Sequence, residues 1–180
     1  MEESTSRKLL WNEAAKAGLV LGLVSILYLV IIQFTPHLGK VMAGASNAIL
    51  WLAKFIGCIA LMNYFIKKYS RSNTRSAREL FAFGVATAFL SALIYSAAYM
   101  GYTIMFPEKI NEAFDAAMSS YSNMLDSSSL EAMENMRSSI GSISFFSSLI
   151  WCTLYGTILS AILSNRIARS GDPFNTNTEE

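Results

Sequence analysis

Lys54 is the one residue whose chemistry is hard to explain by packing. It lies inside the apolar run Val41–Ile66, and no acidic residue stands at a similar depth in any other apolar run. A charge placed in hydrocarbon is costly, so such a group is a functional candidate by default. Counted from the same end of each run, its level matches Ser25 and Tyr28 in the first, Tyr95, Ser96 and Tyr99 in the third, and Ser148 in the fourth. Tyr95, Tyr99 and Tyr102 follow one another at helical spacing, which puts their rings on one face. A lysine facing tyrosine hydroxyls makes a small anion-attracting pocket. The competing reading is structural. The second run is long enough to slide, so that the lysine stem lies along apolar surface while its head snorkels toward the headgroups.

Small residues form a second pattern. The fourth run carries Ser144, Ser148, Cys152, Gly156, Ser160 and Ser164 at every fourth position. The third carries Gly84, Ala88, Ala92 and Ser96, and the first Ala14, Gly18 and Gly22. Small residues at this spacing let helix backbones approach closely in lipid, where hydrophobicity no longer drives association. A strict four-residue step drifts about 40° per turn on a helix of 3.6 residues per turn. The ridge of the fourth run therefore winds around its helix and is expected to meet different neighbours at its two ends. These ridges are expected to pack the helices of one chain. Used between chains, they would make a homo-oligomer seam or a polar path lined by serines.

Nothing else in the sequence assembles into a catalytic or metal-binding constellation. Cys58 and Cys152 both fall inside apolar runs, and no CxxC pair exists. Thiols in that setting are packing residues. His37 is the only histidine, beside Pro36 at the end of a run. No phosphate-binding glycine loop, HExxH or GxSxG motif is present. Met100, Met105, Met118, Met124, Met133 and Met136 are soft ligands of the kind that bind copper(I). Their spacing coincides with apolar stripes, which assigns them to packing. No catalytic residue, metal or cofactor is assigned, and the chain is not expected to be an enzyme.

The elements that must position these residues are four apolar runs: Ala17–Phe34, Val41–Ile66, Leu80–Phe106 and Ile143–Leu163. Each is long enough to cross a hydrocarbon core about 30 Å thick at about 1.5 Å per residue. Between them the basic residues are sorted by side. Arg7, Lys8 and Lys16 precede the first run; Lys67, Lys68, Arg71, Arg75 and Arg78 join the second to the third; Arg166 and Arg169 follow the fourth. Only Lys40, Lys109 and Arg137 lie on the other side. Ten against three puts both termini in the cytoplasm by the positive-inside rule. The first run follows a polar lead, has no small-residue cleavage site after it, and is expected to be retained.

Two capping boxes mark helix starts. Ser76 with Glu79 opens the third run, and Ser128 with Glu131 opens a helix further on. Pro107 breaks the chain after Phe106 and suits the first position of a new helix. The segment 107–142 then carries two apolar stripes, Ile110, Phe114, Met118, Tyr121 and Leu125, and Leu130, Met133, Met136 and Ile140. Its charge is acidic: Glu108, Glu112, Asp115, Asp126, Glu131 and Glu134 face only Lys109 and Arg137. An acidic amphipathic segment disfavours anionic headgroups. It is expected to cap the outer ends of the spans, with Phe114 and Met118 turned inward.

The bulk composition agrees with a membrane protein. Hydrophobic residues make up 53% and charged residues 15% of 180 residues, and mean hydropathy is +0.37. Soluble domains carry about 25% charged residues. A net charge of +1 argues against nucleic acid as a partner of the whole chain.

Three stretches carry a family resemblance: WNEAAKAGLVLGLVSI, RELFAFGVATAFLSALIYSAAYMGYTIMFPE and GTILSAILSNRIARSGDPF. With the amphipathic segment between the third and fourth runs, they resemble the uncharacterised four-span "domain of unknown function" proteins of Bacteroidota. The resemblance implies four spans and an inner-membrane location. It carries over no catalytic residue and no ligand, and Lys54 departs from the pattern.

The expected architecture is an all-α, four-helix transmembrane bundle. A cytoplasmic lead covers 1–16, spans one to three 17–106, an extracytoplasmic helical insert 107–142, span four 143–166 and a disordered cytoplasmic tail 167–180. The expected partners are the lipid bilayer and either a membrane-protein partner or a second copy of the chain. The expected role is that of a non-enzymatic accessory or scaffold protein. A small transporter or channel-like component, working as an oligomer around Lys54, is the alternative.

Overall fold

The structure is a computed structural model that describes residues 2–32, 40–71, 76–121, 124 and 126–170. His37 and the tail beyond Ser170 lie outside the described residues. Among those described there are six helices and no strand: α1 (Glu2–Ile32), α2 (Lys40–Arg71), α3 (Ala77–Met105), α4 (Pro107–Tyr121), α5 (Ser127–Arg137) and α6 (Ile140–Ser170). Four of them contain stretches long and apolar enough to cross a membrane, Arg7–Ile32, Ser46–Arg71, Ala77–Met105 and Ile140–Ala168. The class is all-α, as expected.

The helix ends follow local chemistry. Ser76 is the N-cap of α3, and its hydroxyl accepts from the Glu79 N–H at 3.4 Å. α3 stops at Met105, and α4 opens on Pro107, whose missing N–H costs nothing at that position. α5 corrects the second capping box. Its N-cap is Asp126, not Ser128. The Asp126 carboxylate accepts the Ser129 N–H at 3.1 Å and the Ser128 hydroxyl at 2.7 Å. A carboxylate two residues upstream outcompetes the serine for the same free N–H groups. The polar lead is also helical, because α1 starts at Glu2 and Ala14 is fully buried. At the other terminus, α6 runs on to Ser170 and buries Ile167.

α3 is the central helix. Its most extensive contacts are with α6 and α1, and α2 packs more lightly on α1, α6 and α3. The glycines show the register. A Cβ at Gly18 would come within 2.9 Å of Leu90, and one at Gly22 within 2.8 Å of Ile94. Both numbers rise together, so α1 and α3 run parallel. A Cβ at Gly84 would meet the Ser160 hydroxyl at 2.6 Å, while one at Gly156 would overlap Ala88. Here the numbers run in opposite senses, so α3 and α6 are antiparallel. The small-residue ridges of the two helices thus interlock. The ridge on α6 is unevenly buried: Ser160 and Ser164 are buried, whereas Ser144, Ser148 and Cys152 are only half-buried.

Packing is tight at the end of the bundle that carries the chain termini and looser at the insert end. Leu80, Phe83, Met62, Ile66, Tyr69, Leu163 and Ile167 are buried at the terminal end, where Tyr69 and Phe83 stack at 4.2 Å. In α2 no described residue before Met62 is buried.

The insert is not the expected cap. α4 and α5 pack on each other, and α4 touches the bundle through α3, where the two helices join. Phe114 lies under the Arg137 guanidinium, at 4.8 Å from ring to charge, instead of facing the spans. Arg137 also pairs with Asp115 and, at 3.1 Å, with Glu134. One arginine neutralises two of the six acids and covers an aromatic ring, so the hairpin closes on itself. No residue of either helix is buried.

Candidate functional site

The site is built on α2, which carries Lys54 on the face that turns toward α1 and α3. α2 runs antiparallel to both α1 and α3, and its Lys54 reaches Tyr28, near the end of α1, and Tyr95, in the second half of α3. The Lys54 ammonium lies 4.8 Å from the Tyr28 ring centroid and 4.3 Å from that of Tyr95. Two rings therefore clasp one cation, each contact contributing about 0.5–1 kcal/mol or more as water is excluded. No carboxylate partners this ammonium among the described residues. The lysine is half-buried.

Around the clasp lie the remaining residues of the layer. Ser25 on α1 is 7% exposed and lies near Cys58, one turn along α2 from Lys54. Cys152 on α6 is within electrostatic range of both Lys54 and Cys58. The register that sets Ala88 opposite Gly156 carries Ser96 and Ser148 to a common level. Ser96 is fully buried, and its hydroxyl has no hydrogen-bond partner among the described residues.

A row of rings leads away from the clasp toward the insert. Tyr95 stacks on Tyr99 at 6.1 Å, Tyr99 on Tyr102 at 6.3 Å, and Tyr102 leans on Phe106 at 5.2 Å. Lys109 sits over Phe106 at 5.6 Å. Two lysines thus stand at the ends of one aromatic row. Beside its far end is a cleft of about 290 Å³ between α3, α4 and the start of α6, lined by Thr103, Asn111, Arg137 and Ser142 among others.

Of the residues singled out in the sequence, Lys54, Tyr28, Tyr95 and Ser25 come together, and Tyr99 is the next ring along. Gly18, Gly22, Gly84, Ala88, Gly156 and Ser160 are helix contacts, and Ala92 is buried beside them on α3. Sequence reasoning missed Cys58 and Cys152 as members of the layer, although Cys58 follows Lys54 by one turn. It also missed that the tyrosine face continues through Phe106 to Lys109. Among the described residues, no three of His, Cys, Asp and Glu lie close enough together to hold a metal ion.

These features define a class: a four-helix bundle of membrane-crossing length with an aromatic-clasped cation in its looser half. The chain belongs to the family described as Protein of unknown function (DUF4199), which matches residues 16–167. No curated protein and no solved structure matches it.

Proposed function

We propose that this is a non-enzymatic accessory or scaffold protein that works through helix contacts with another membrane protein. The observation that supports this reading is the uneven packing. Among its described residues, α2 is buried only at Met62, Ile66 and Tyr69, and leaves Ile49, Trp51, Leu52, Phe55 and Ile56 exposed. α6 likewise exposes Phe146, Ile150, Trp151, Leu154 and Tyr155. A bilayer covers such faces, and a partner helix can replace lipid there by shape-matched packing. The membrane in this reading is the bacterial inner membrane, with N- and C-termini cytoplasmic. Ten basic residues against three support that orientation, and the likeness to Bacteroidota proteins supports the compartment.

Cross-linking in native membranes followed by purification tests the role. A reproducible heterologous membrane protein, cross-linked through α2 or α6 positions, supports it. A homo-oligomer that carries solute flux sinks it and favours the second reading, a small transporter or channel-like component. The Lys54 clasp is the observation that favours that alternative. Reporter fusions after Lys68 and Ser127 test orientation, with cytoplasmic and extracytoplasmic signals expected respectively.

A further inference from the structure

We infer that the Lys54 layer is a binding site for the oxyanion headgroup of an amphiphile that enters from the insert-side half of the bilayer. This goes beyond the accessory role and does not depend on it.

Charge is the first argument. An ammonium has three N–H donors, and ring faces offer it no lone pair. Tyr28 and Tyr95 cover two sides of Lys54 without supplying an anion or a hydrogen-bond acceptor for those donors. A singly charged oxyanion supplies both. The hydroxyls of these tyrosines are donors suited to the same group.

Access is the second argument. α2 is buried below this level at Met62 and Ile66, and none of its described residues above it is buried. Lys54 follows the start of its membrane-length stretch at Ser46 by about 12 Å of helix. Its side chain leans back toward the helix N-terminus, which is the insert end. Exposed Leu27 and Val30 on α1, and stacked Trp51 and Phe55 on α2, flank the layer with apolar surface for an acyl chain. A free inorganic anion has no use for those flanks.

The test uses the full chain in phosphatidylcholine nanodiscs, with Trp11→Phe and Trp151→Phe so that Trp51 alone reports. Quenching of Trp51 is measured with three brominated probes: a fatty acid, a phosphatidylglycerol and a phosphatidylcholine reference. At least one anionic probe should half-quench at about fivefold lower mole fraction than the reference, as one lysine near a membrane surface supplies. Lys54→Gln should bring the anionic probes to within about twofold of the reference, and Lys54→Arg should keep the preference. Preference for the fatty acid alone identifies a carboxylate amphiphile, for phosphatidylglycerol alone a phosphodiester lipid, and for both the oxyanion itself. No anionic preference in the parent protein overturns the inference. So does a preference that survives Lys54→Gln, because Lys109 or Arg137 would then be its source. Should Lys54→Gln not give a monodisperse protein, Lys54→Met takes its place, and the parent measurement remains decisive.

Discussion

Replacing Gly156 with alanine is the sharpest test of the α3–α6 interface. The added Cβ would lie within 3.0 Å of the Ala88 Cβ, a separation that real carbon atoms do not adopt. Ordinary carbon contact is about 3.5–4.0 Å, so the helices must part by more than about 0.5 Å along this seam. The neighbour that would have to yield is a methyl fixed to backbone, and no rotamer relieves it. Overpacking of that kind costs about 1–3 kcal/mol. The separation would also loosen the Gly84–Ser160 contact one turn away, which favours the upper part of that range. The assay is reversible unfolding in mixed micelles with increasing SDS, compared with Gly57→Ala. At Gly57 the same methyl enters open space and should be neutral, or stabilise the helix by up to about 1 kcal/mol. The double variant Gly156→Ala/Ala88→Gly moves the methyl across the seam. It should recover most of the loss, giving a coupling energy of about 1–2 kcal/mol. Equal stability of Gly156→Ala and Gly57→Ala would refute the close-approach argument. Failure of Ala88→Gly to rescue would refute the register.

The remaining expectations concern helix ends and the insert. Asp126 is held below the ordinary carboxylate range by hydrogen bonds from the Ser129 side chain first, then Ser128 and the Ser129 N–H. With the folded pKa depressed, its contribution is present above the unfolded value of about 3.9 and is lost as pH falls through the folded value. Protection of the Ser127–Arg137 amides, measured against their intrinsic exchange rates, should therefore fall below about pH 4, and Asp126→Ala should show low protection at neutral pH with no further acid step. Arg137→Ala removes the ion pairs to Asp115 and Glu134 and the contact with Phe114, all at the surface. It should loosen the hairpin by about 1 kcal/mol, read as severalfold faster proteolysis of the link between α4 and α5. Ser76→Ala should cost about 0.5–1 kcal/mol, at the low end for an N-cap because its hydrogen bond is long at 3.4 Å. Equal unfolding midpoints for Ser76→Ala and the parent would remove that cap from the account.

Much of this fold was legible in the sequence because lipid imposes one rule. Apolar length specifies helices, and α1, α2, α3 and α6 appear where the runs Ala17–Phe34, Val41–Ile66, Leu80–Phe106 and Ile143–Leu163 lie. At the site, Lys54 stands against Tyr28 and Tyr95. Antiparallel helices rise equally per residue, so Tyr28 and Tyr95 could be matched to Lys54 without knowing which faces meet. The α3–α6 seam was visible as two four-residue ridges, but their pairing required three-dimensional register. The start of α5 was obscured by a serine run in which several hydroxyls could cap, and only the geometry shows the Asp126 carboxylate winning. The self-closed insert was not legible, because Arg137 and Asp115 are brought together by the turn between two helices. Cys58 and Cys152 were read as filler for the same kind of reason: a thiol looks alike in a core and beside a charge.

The central place of α3 has a consequence for biogenesis. A chain threaded into the membrane from its N-terminus delivers α1 and α2 first, yet α1 keeps Gly18 and Gly22 for Leu90 and Ile94 of a helix still to be made. When α3 arrives, its own notch at Gly84 and Ala88 waits for Ser160 and Gly156, beyond the whole insert. Each early helix thus enters the bilayer with its contact surface vacant, and the last one closes the assembly. A polypeptide ending before Ile140 would display that vacant seam to lipid.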